Sequence, residues 1–199
     1  MRHPEKHNRC TIRLKDYDYS QSGAYFITIC TRSKECILGN VVNGEMLLNK
    51  YGHAVEEEWI RTANIRKNVE SDAFVVMPNH FHGILVIVEE CRGTARCAPT
   101  GVGRHFGKME SASLPAIVRS FKSAATRRIN ELRSTPNIHV WQRNYYEHVI
   151  RNETDLDEIR EYITNNPLKW DLDSENPLHV SIARLTKPGT LLGKDATAH

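Results

Sequence analysis

Two histidines separated by one residue are the first feature of this sequence that could support chemistry. His80-Phe81-His82 follows the turn residues Pro78 and Asn79 and precedes the apolar run GILVIV. Residues two apart on a β-strand point to the same side, so both imidazoles could lie together with Phe81 on the other side. Two neutral imidazoles supply half of a divalent metal site, and a bound metal can polarise a phosphate. An isolated pair is also common at an exposed strand start, but the rigid flanks here favour metal binding.

A tyrosine and an asparagine near the end of the chain could complete such a site. Tyr162 and Asn166 are four residues apart, so they are neighbours on one face of the helix predicted there. Asn166 could offer an oxygen to the metal, and the Tyr162 phenol could attack a metal-bound phosphate. A phenol is a weak nucleophile at neutral pH because its ordinary pKa is near 10, so it needs a basic environment and an aligned phosphate.

Two other interpretations of the tyrosines stay open at this point. Tyr162 could instead pack in the core beside Ile159 and Ile163, which precede and follow it on the same helix. Tyr145 and Tyr146 are alternative nucleophiles, although the residues four places after them are apolar and cannot bind a metal.

The basic residues are clustered although the formal net charge is only +3. They concentrate at 2–15, 119–133 and 143–151, and clustering indicates nucleic-acid binding better than net charge does. Phosphates account for most of the affinity of such complexes, and aromatic rings can stack on unpaired bases. The candidate DNA contacts are Arg119, Lys122, Arg127, Arg128, Trp141, Arg143, Tyr145, Tyr146 and Arg151.

The hydrophobic periodicity predicts an α+β fold that would position these residues. The predicted strands are Ala24–Thr31, Glu45–Leu48, Ala73–Met77 and His82–Glu89, and the predicted helices are Lys50–Asn64, Leu114–Leu132 and one capped by Thr154 that ends near Asn165. This order favours a ferredoxin-like antiparallel sheet with helices packed on one face. Residues 1–22 are predicted to form a basic arm, 23–170 the main domain, 91–113 a mobile surface loop and 171–199 an irregular tail.

Composition excludes several classes of protein. No apolar run approaches the roughly 18 residues that a membrane-spanning helix needs, and the polar N-terminus lacks a signal-peptide core. The five cysteines are odd in number and form no CxxC pair, which argues against a disulfide framework or a structural zinc site. We therefore expect a cytoplasmic protein that has no contact with membranes.

Four stretches of this sequence resemble one known family. MPNHFHGI, VRSFKSAATRRIN, WQRNYYEHVIRNETDL and YITNNPLKW occur in the order seen in the single-tyrosine HUH transposases, and the similarity is greatest to the REP-associated branch. The resemblance covers about Arg13 to Trp170. It implies a ferredoxin-like fold, metal binding by His80, His82 and Asn166, and Tyr162 as nucleophile.

The resemblance also implies a reaction. Enzymes of this family cut single-stranded DNA near a hairpin and leave a 5′-phosphotyrosine and a free 3′-hydroxyl; the reverse reaction joins strands. Mg²⁺ or Mn²⁺ is the expected cofactor, and a monomer is favoured over a dimer. Two alternatives remain: a DNA-hairpin-binding regulator without catalysis, and a metal phosphodiesterase or RNA nuclease that uses water and forms no covalent adduct.

Overall fold

The computed structural model describes residues 17–88, 113–173 and 175–177. Along the chain the elements are β1 (Gly23–Cys30), a 3-10 turn (Arg32–Lys34), β2 (Gly39–Val42), β3 (Glu45–Leu48), α1 (Lys50–Asn64), β4 (Val69–Val76), β5 (His80–Ile87), α2 (Leu114–Leu132), β6 (Tyr146–Ile150), α3 (Glu153–Asn165) and a 3-10 helix (Pro167–Leu172). No helix among the described residues is long and apolar enough to cross a membrane.

A four-stranded sheet with the order β4-β5-β1-β6 forms the centre of the molecule. All three neighbouring pairs are antiparallel. With β2 and β3 set aside as a separate hairpin, the remaining strands and helices follow the ferredoxin-like order. The predicted fold class, an antiparallel α+β sheet with helices packed on it, is confirmed.

The helices cover both faces of this sheet, so the prediction that they pack on one face is wrong. The first face packs against α1 and α2, and the second face packs against α3. Leu85 of β5 points to the first face, whereas Ile84 points to the second and packs with Ile163 of α3. A strand that is buried on both sides has a continuous apolar sequence, which explains the run GILVIV.

Aromatic side chains fill the first face. The Trp59 ring of α1 lies 4.7 Å from Phe81 and 5.2 Å from Phe121 of α2, and the latter two rings are 5.3 Å apart. Asn49 starts α1 by accepting hydrogen bonds from the N–H groups of Tyr51 and Gly52, which satisfies two groups that a helix start leaves unpaired. This face is the main apolar core.

Helix α3 begins two residues earlier than the predicted cap allows. Asn152 is the cap, and its side-chain oxygen accepts from the N–H of Asp155 at 2.8 Å, so the prediction that Thr154 caps the helix is wrong. Asn caps helices at least as well as Thr. Arg160 then donates to both carboxylate oxygens of Asp72, at 3.1 and 2.6 Å, and this bidentate pair fixes α3 to β4.

Other segments also differ from the predictions or lie beyond them: β6 was not predicted as a strand, and β4 begins before the predicted Ala73. Strand β2 was not predicted; it pairs with β3 through a tight turn in which Asn43 and Gly44 both have positive φ, as a two-residue hairpin requires. Tyr19, which the prediction placed in the arm, is buried in the core against Tyr25. The predicted loop 91–113 lies outside the described residues except for Ser113.

Candidate active site

The two histidines lie side by side at the start of β5. His80 and His82 both face α3, their ring centres are 4.5 Å apart, and both side chains are buried. Phe81 points into the aromatic core on the opposite face. The structure thus places the three residues as strand alternation predicts, and the pair lies on a rigid element.

The hydrogen bonds of Asn79 determine which nitrogen of His80 carries the proton. The Asn79 amide nitrogen donates to the carbonyls of Lys34 (3.1 Å) and Glu175 (2.7 Å), so its Oδ1 is the atom that faces His80. Nδ1 of His80 lies 2.9 Å from that oxygen and must donate, because an amide oxygen only accepts. A neutral His80 therefore presents the lone pair of Nε2 to the site. Metal-binding histidines are commonly oriented in this way.

His82 connects β1 to the tyrosine helix. Its Nδ1 is 2.8 Å from the Thr28 hydroxyl, and its Nε2 is 3.3 Å from the Tyr162 phenol. Phe26 stacks on the His82 ring at 5.4 Å. When the phenol donates to Nε2, Nδ1–H donates to Thr28, so the ring has one fixed orientation.

Tyr162 lies at the surface of α3 beside His82 rather than in the core. The buried residue of this part of α3 is Ile163, whereas 42% of Tyr162 is exposed. The Tyr162 ring rests edge-on against Phe26 at 6.0 Å. The alternative in which Tyr162 packs in the core is therefore wrong, because a large part of its side chain faces solvent.

Two buried polar atoms beside these groups have no hydrogen-bond partner within the described part of the chain. They are Nε2 of His80 and Oδ1 of Asn166; the Asn166 side chain lies close enough to His80 and Tyr162 to affect the pKa of both, but among the described residues neither atom makes a hydrogen bond of good geometry. Such atoms are costly to bury unless something binds them. Together with Nε2 of His82 they form two imidazole nitrogens and one amide oxygen, a set that fits a divalent cation. Within the described ranges no three His, Cys, Asp or Glu side chains are already arranged around one point, and the third donor of this set is the amide oxygen of Asn166.

The surroundings control the charge of these groups. Burial lowers the pKa of His80, and burial together with the neighbouring His80 brings the pKa of His82 well below the ordinary value. Both rings are therefore neutral near pH 7, which is the form that binds metals. Burial, followed by the negative charge of Asp173, raises the pKa of Tyr162. Without a bound cation the phenol stays protonated.

The alternative nucleophiles occupy different positions. Tyr146 is 47% exposed and contacts the same Phe26 ring at 6.4 Å, but it is on β6. Tyr145 packs against the core of the other face. The residues four places after them, Val149 and Ile150, are apolar and cannot bind a metal.

Six of the predicted DNA contacts line one groove: Arg119, Lys122, Arg127, Trp141, Arg143 and Tyr145. The groove has a volume of about 1190 Å³ and lies between α2 and residues 134–145. Arg119, Arg127 and Arg143 contribute positive charge to its walls. Arg119 and Arg127 are both exposed, so they are available to phosphates.

Two of the predicted contacts have structural partners in the protein. Lys122 donates to the carbonyls of Gln142 (2.6 Å) and Arg143 (3.2 Å), and burial lowers its pKa to about 8. Arg128 pairs with Glu57 and, at 3.6 Å, with Glu58, so it joins α2 to α1 outside the groove.

Of the remaining predicted contacts, Trp141 lines the groove and Arg151 does not. Trp141 is 7% exposed and packs near Phe121, which leaves little of its ring for stacking on a base. Arg151 is exposed just before α3.

The sequence prediction missed two side chains that shape the site. Asn79 was interpreted only as a turn residue, although it orients His80. Asp173 was assigned to an irregular tail, yet its Oδ2 lies 3.8 Å from Nε2 of His80. The Asn before the HFH triplet was a usable local signal, whereas the position of Asp173 depends on how the chain folds back.

Comparisons with known proteins agree with this fold. No known family profile matches the chain. An uncharacterized protein of Haemophilus influenzae is 42% identical over 171 residues, which covers 84% of this chain and 92% of that protein. The solved structure of a REP-associated tyrosine transposase bound to a REP hairpin matches 94% of this chain and 99% of its own, with 19% identity and a TM-score of 0.52. The chain therefore belongs to one family with the Haemophilus protein and has the fold of the REP-associated tyrosine transposase.

Proposed function

We propose that this protein cleaves and rejoins single-stranded DNA at hairpin-forming sequences, with Tyr162 as nucleophile. His80, His82 and Asn166 would hold Mg²⁺ or Mn²⁺. The observation that carries the proposal is the convergence of a half-exposed phenol, 3.3 Å from His82, with two buried polar atoms that have no partner in the described residues. A purely structural site would satisfy those atoms.

Each residue of the site has a separate role in the proposed cleavage of DNA. A bound metal would neutralise and polarise the phosphate. Tyr162 oxygen attacks phosphorus, the bond from phosphorus to the 3′ oxygen breaks, the phenol loses its proton and the 3′ oxygen gains one. The products are a 5′-phosphotyrosine and a free 3′-hydroxyl, and the same steps in reverse join strands. Arg160 and Asp72 hold α3, and with it Tyr162, in place.

The basic groove is the proposed binding surface for the hairpin. Gln142 donates to the carbonyl of Cys30 at 2.9 Å, and Cys30 is the residue of β1 that pairs with His80. The groove and the active site thus share one end of the sheet, so one DNA molecule can reach both. The buried indole N–H of Trp141, which has no partner in the described residues, lies in the groove lining and can donate to a ligand.

A covalent-adduct assay tests the proposal. The full chain is incubated with a labelled hairpin oligonucleotide that has a single-stranded flank, with Mn²⁺ or Mg²⁺, and analysed on a denaturing gel. We expect a protein–DNA adduct that disappears in Tyr162→Phe. Tyr146→Phe is the matched control, since both rings lie edge-on against Phe26; it should keep the adduct.

Each of the other outcomes of this assay would indicate a different function or a different nucleophile. Cleavage without an adduct would indicate a phosphodiesterase that uses water. Hairpin binding without cleavage would indicate a regulator. An adduct that persists in Tyr162→Phe would refute Tyr162 as nucleophile while leaving the enzyme class intact.

A further inference from the structure

The chain folds back over His80 after α3. We call residues 167–173 and 175–177 the strap. Its Trp170 ring lies 5.9 Å from the His80 ring, and the carbonyl of Glu175 accepts from Asn79, the residue that orients His80. The strap therefore forms one wall of the candidate metal site.

Side-chain contacts hold the strap in place. The Glu175 carboxylate accepts from Lys34 Nζ at 3.0 Å and from Cys30 Sγ at 3.6 Å. Asn176 donates to the carbonyl of Trp170 at 3.0 Å. Contacts to β1, to the turn after it and to Asn79 fix the end of the strap, so the position of Asp173 is not accidental.

Asp173 presents a carboxylate to an atom that cannot donate to it. Its Oδ2 is 3.8 Å from Nε2 of His80, beyond hydrogen-bond range. In neutral His80 the proton is on Nδ1, so the carboxylate faces a lone pair. A cation bound by that lone pair would lie within reach of the carboxylate and would be attracted to it. Two donors that each bind one ion at about 2.1 Å are at most about 4.2 Å apart, and 3.8 Å falls inside this limit.

We propose that Asp173 is a further, negatively charged ligand of the metal held by His80, His82 and Asn166. The inference rests on the metal site of the proposed function. Its carboxylate approaches His80 from the rim of the site, where it is 14% exposed, and a rotation of its side chain would be needed to bring it onto the ion. Carboxylate oxygens suit Mn²⁺ and Mg²⁺, whereas imidazole alone suits Zn²⁺. Asp173 thus sets the preference of the site for the harder ions.

Calorimetric titration of Mn²⁺ and of Zn²⁺ into the metal-free full chain, without DNA, tests this ligand. Asp173→Asn keeps the shape of the side chain and removes its charge. We expect Mn²⁺ affinity to fall at least about tenfold, since loss of even an outer-shell partner costs about 10–100-fold, and Zn²⁺ affinity to fall less. Asp171→Asn removes a charge from an exposed position on the same strap and should change neither affinity.

The two metals separate a ligand from a merely structural residue. A disturbed strap would weaken both ions alike, so an equal loss of Mn²⁺ and Zn²⁺ binding overturns the proposal. Unchanged Mn²⁺ affinity in Asp173→Asn, with binding lost in His80→Ala, also overturns it and leaves the three-ligand site intact. If His80→Ala binds Mn²⁺ as the unaltered chain does, the metal site of the proposed function fails as well.

Discussion

The two faces of the central sheet serve different purposes although they share the same strands. On the first face, Trp59, Phe81 and Phe121 form a dry core in which all three side chains are buried. On the second face, His80 and His82 are also buried, but they bring polar atoms, one of which has no partner in the described residues. Because side chains alternate along a strand, His80 and His82 contribute to the candidate site while Phe81, between them, contributes to the core.

The second face also holds its helix with fewer apolar contacts. Its buried apolar cluster within the described residues is Phe26, Ile84, Ile150 and Ile163. The Arg160–Asp72 pair adds a charged clamp, and its hydrogen bonds lower the pKa of Asp72. Elements with few buried apolar contacts open most easily. Among the described helices, α3, which bears Tyr162, should therefore shift most easily.

Replacing either histidine should give the largest effect and confine it to the second face. In His80→Ala and His82→Ala, cleavage should fall by more than about a hundredfold, because a lost ligand costs more than a lost outer-shell partner. Hairpin affinity should stay within about threefold, since phosphate contacts dominate it. Gel assays of cleavage and fluorescence anisotropy of hairpin binding measure the two quantities.

Circular dichroism of both variants provides the control for folding. If both cleave at the normal rate while folded, the second face holds no catalytic metal and the contrast between the faces fails.

Replacing Phe81, the residue between the two histidines, should instead lower the stability of the fold and leave metal binding unchanged. Phe81→Ala empties the centre of the first face, where Phe81 contacts Trp59 and Phe121. We expect a loss of about 3–5 kcal/mol in the free energy of unfolding, as is usual for buried Phe→Ala changes, measured by urea denaturation. The protein that remains folded should bind Mn²⁺ normally. A stability loss no greater than that of His82→Ala would show that the faces do not differ as the packing indicates.

Local patterns predicted the first face better than the second. The bounds of α1 and α2, Lys50–Asn64 and Leu114–Leu132, were predicted correctly because both helices have one clear apolar stripe. Strand β2 was missed because its apolar content is low, although the turn at Asn43 and Gly44 indicated a hairpin. The position of α3 on the opposite face is a long-range property that no local pattern contains.

The site was predictable where its residues are close in sequence. The spacing of His80 and His82, and of Tyr162 and Asn166, gave two halves that the structure brings together. Asp173 was not predicted, because its place beside His80 depends on contacts of the strap with Lys34 and Asn79. Helical spacing separates exposed residues from buried ones, but it does not show which protein groups an exposed residue contacts. For this reason Lys122 and Arg128, which bond to other parts of the protein, were not distinguished from Arg119.

The smallest expected effect concerns the outer side of the first face, where α2 carries arginines in two environments. Arg119 and Arg127 line the groove, whereas Arg128 pairs with Glu57 and Glu58. The double variant Arg119→Gln/Arg127→Gln should lower the salt dependence of hairpin binding by about one unit of slope for each lost phosphate contact, up to about two.

Arg128→Gln, the matched control on the same helix, should leave the slope unchanged, because its charge is already neutralised by the two glutamates. Anisotropy titrations across a range of salt concentrations measure the slope. A lower slope in Arg128→Gln together with an unaltered slope in the double variant would place the DNA on the α1 side of α2 and exclude the groove as its binding surface.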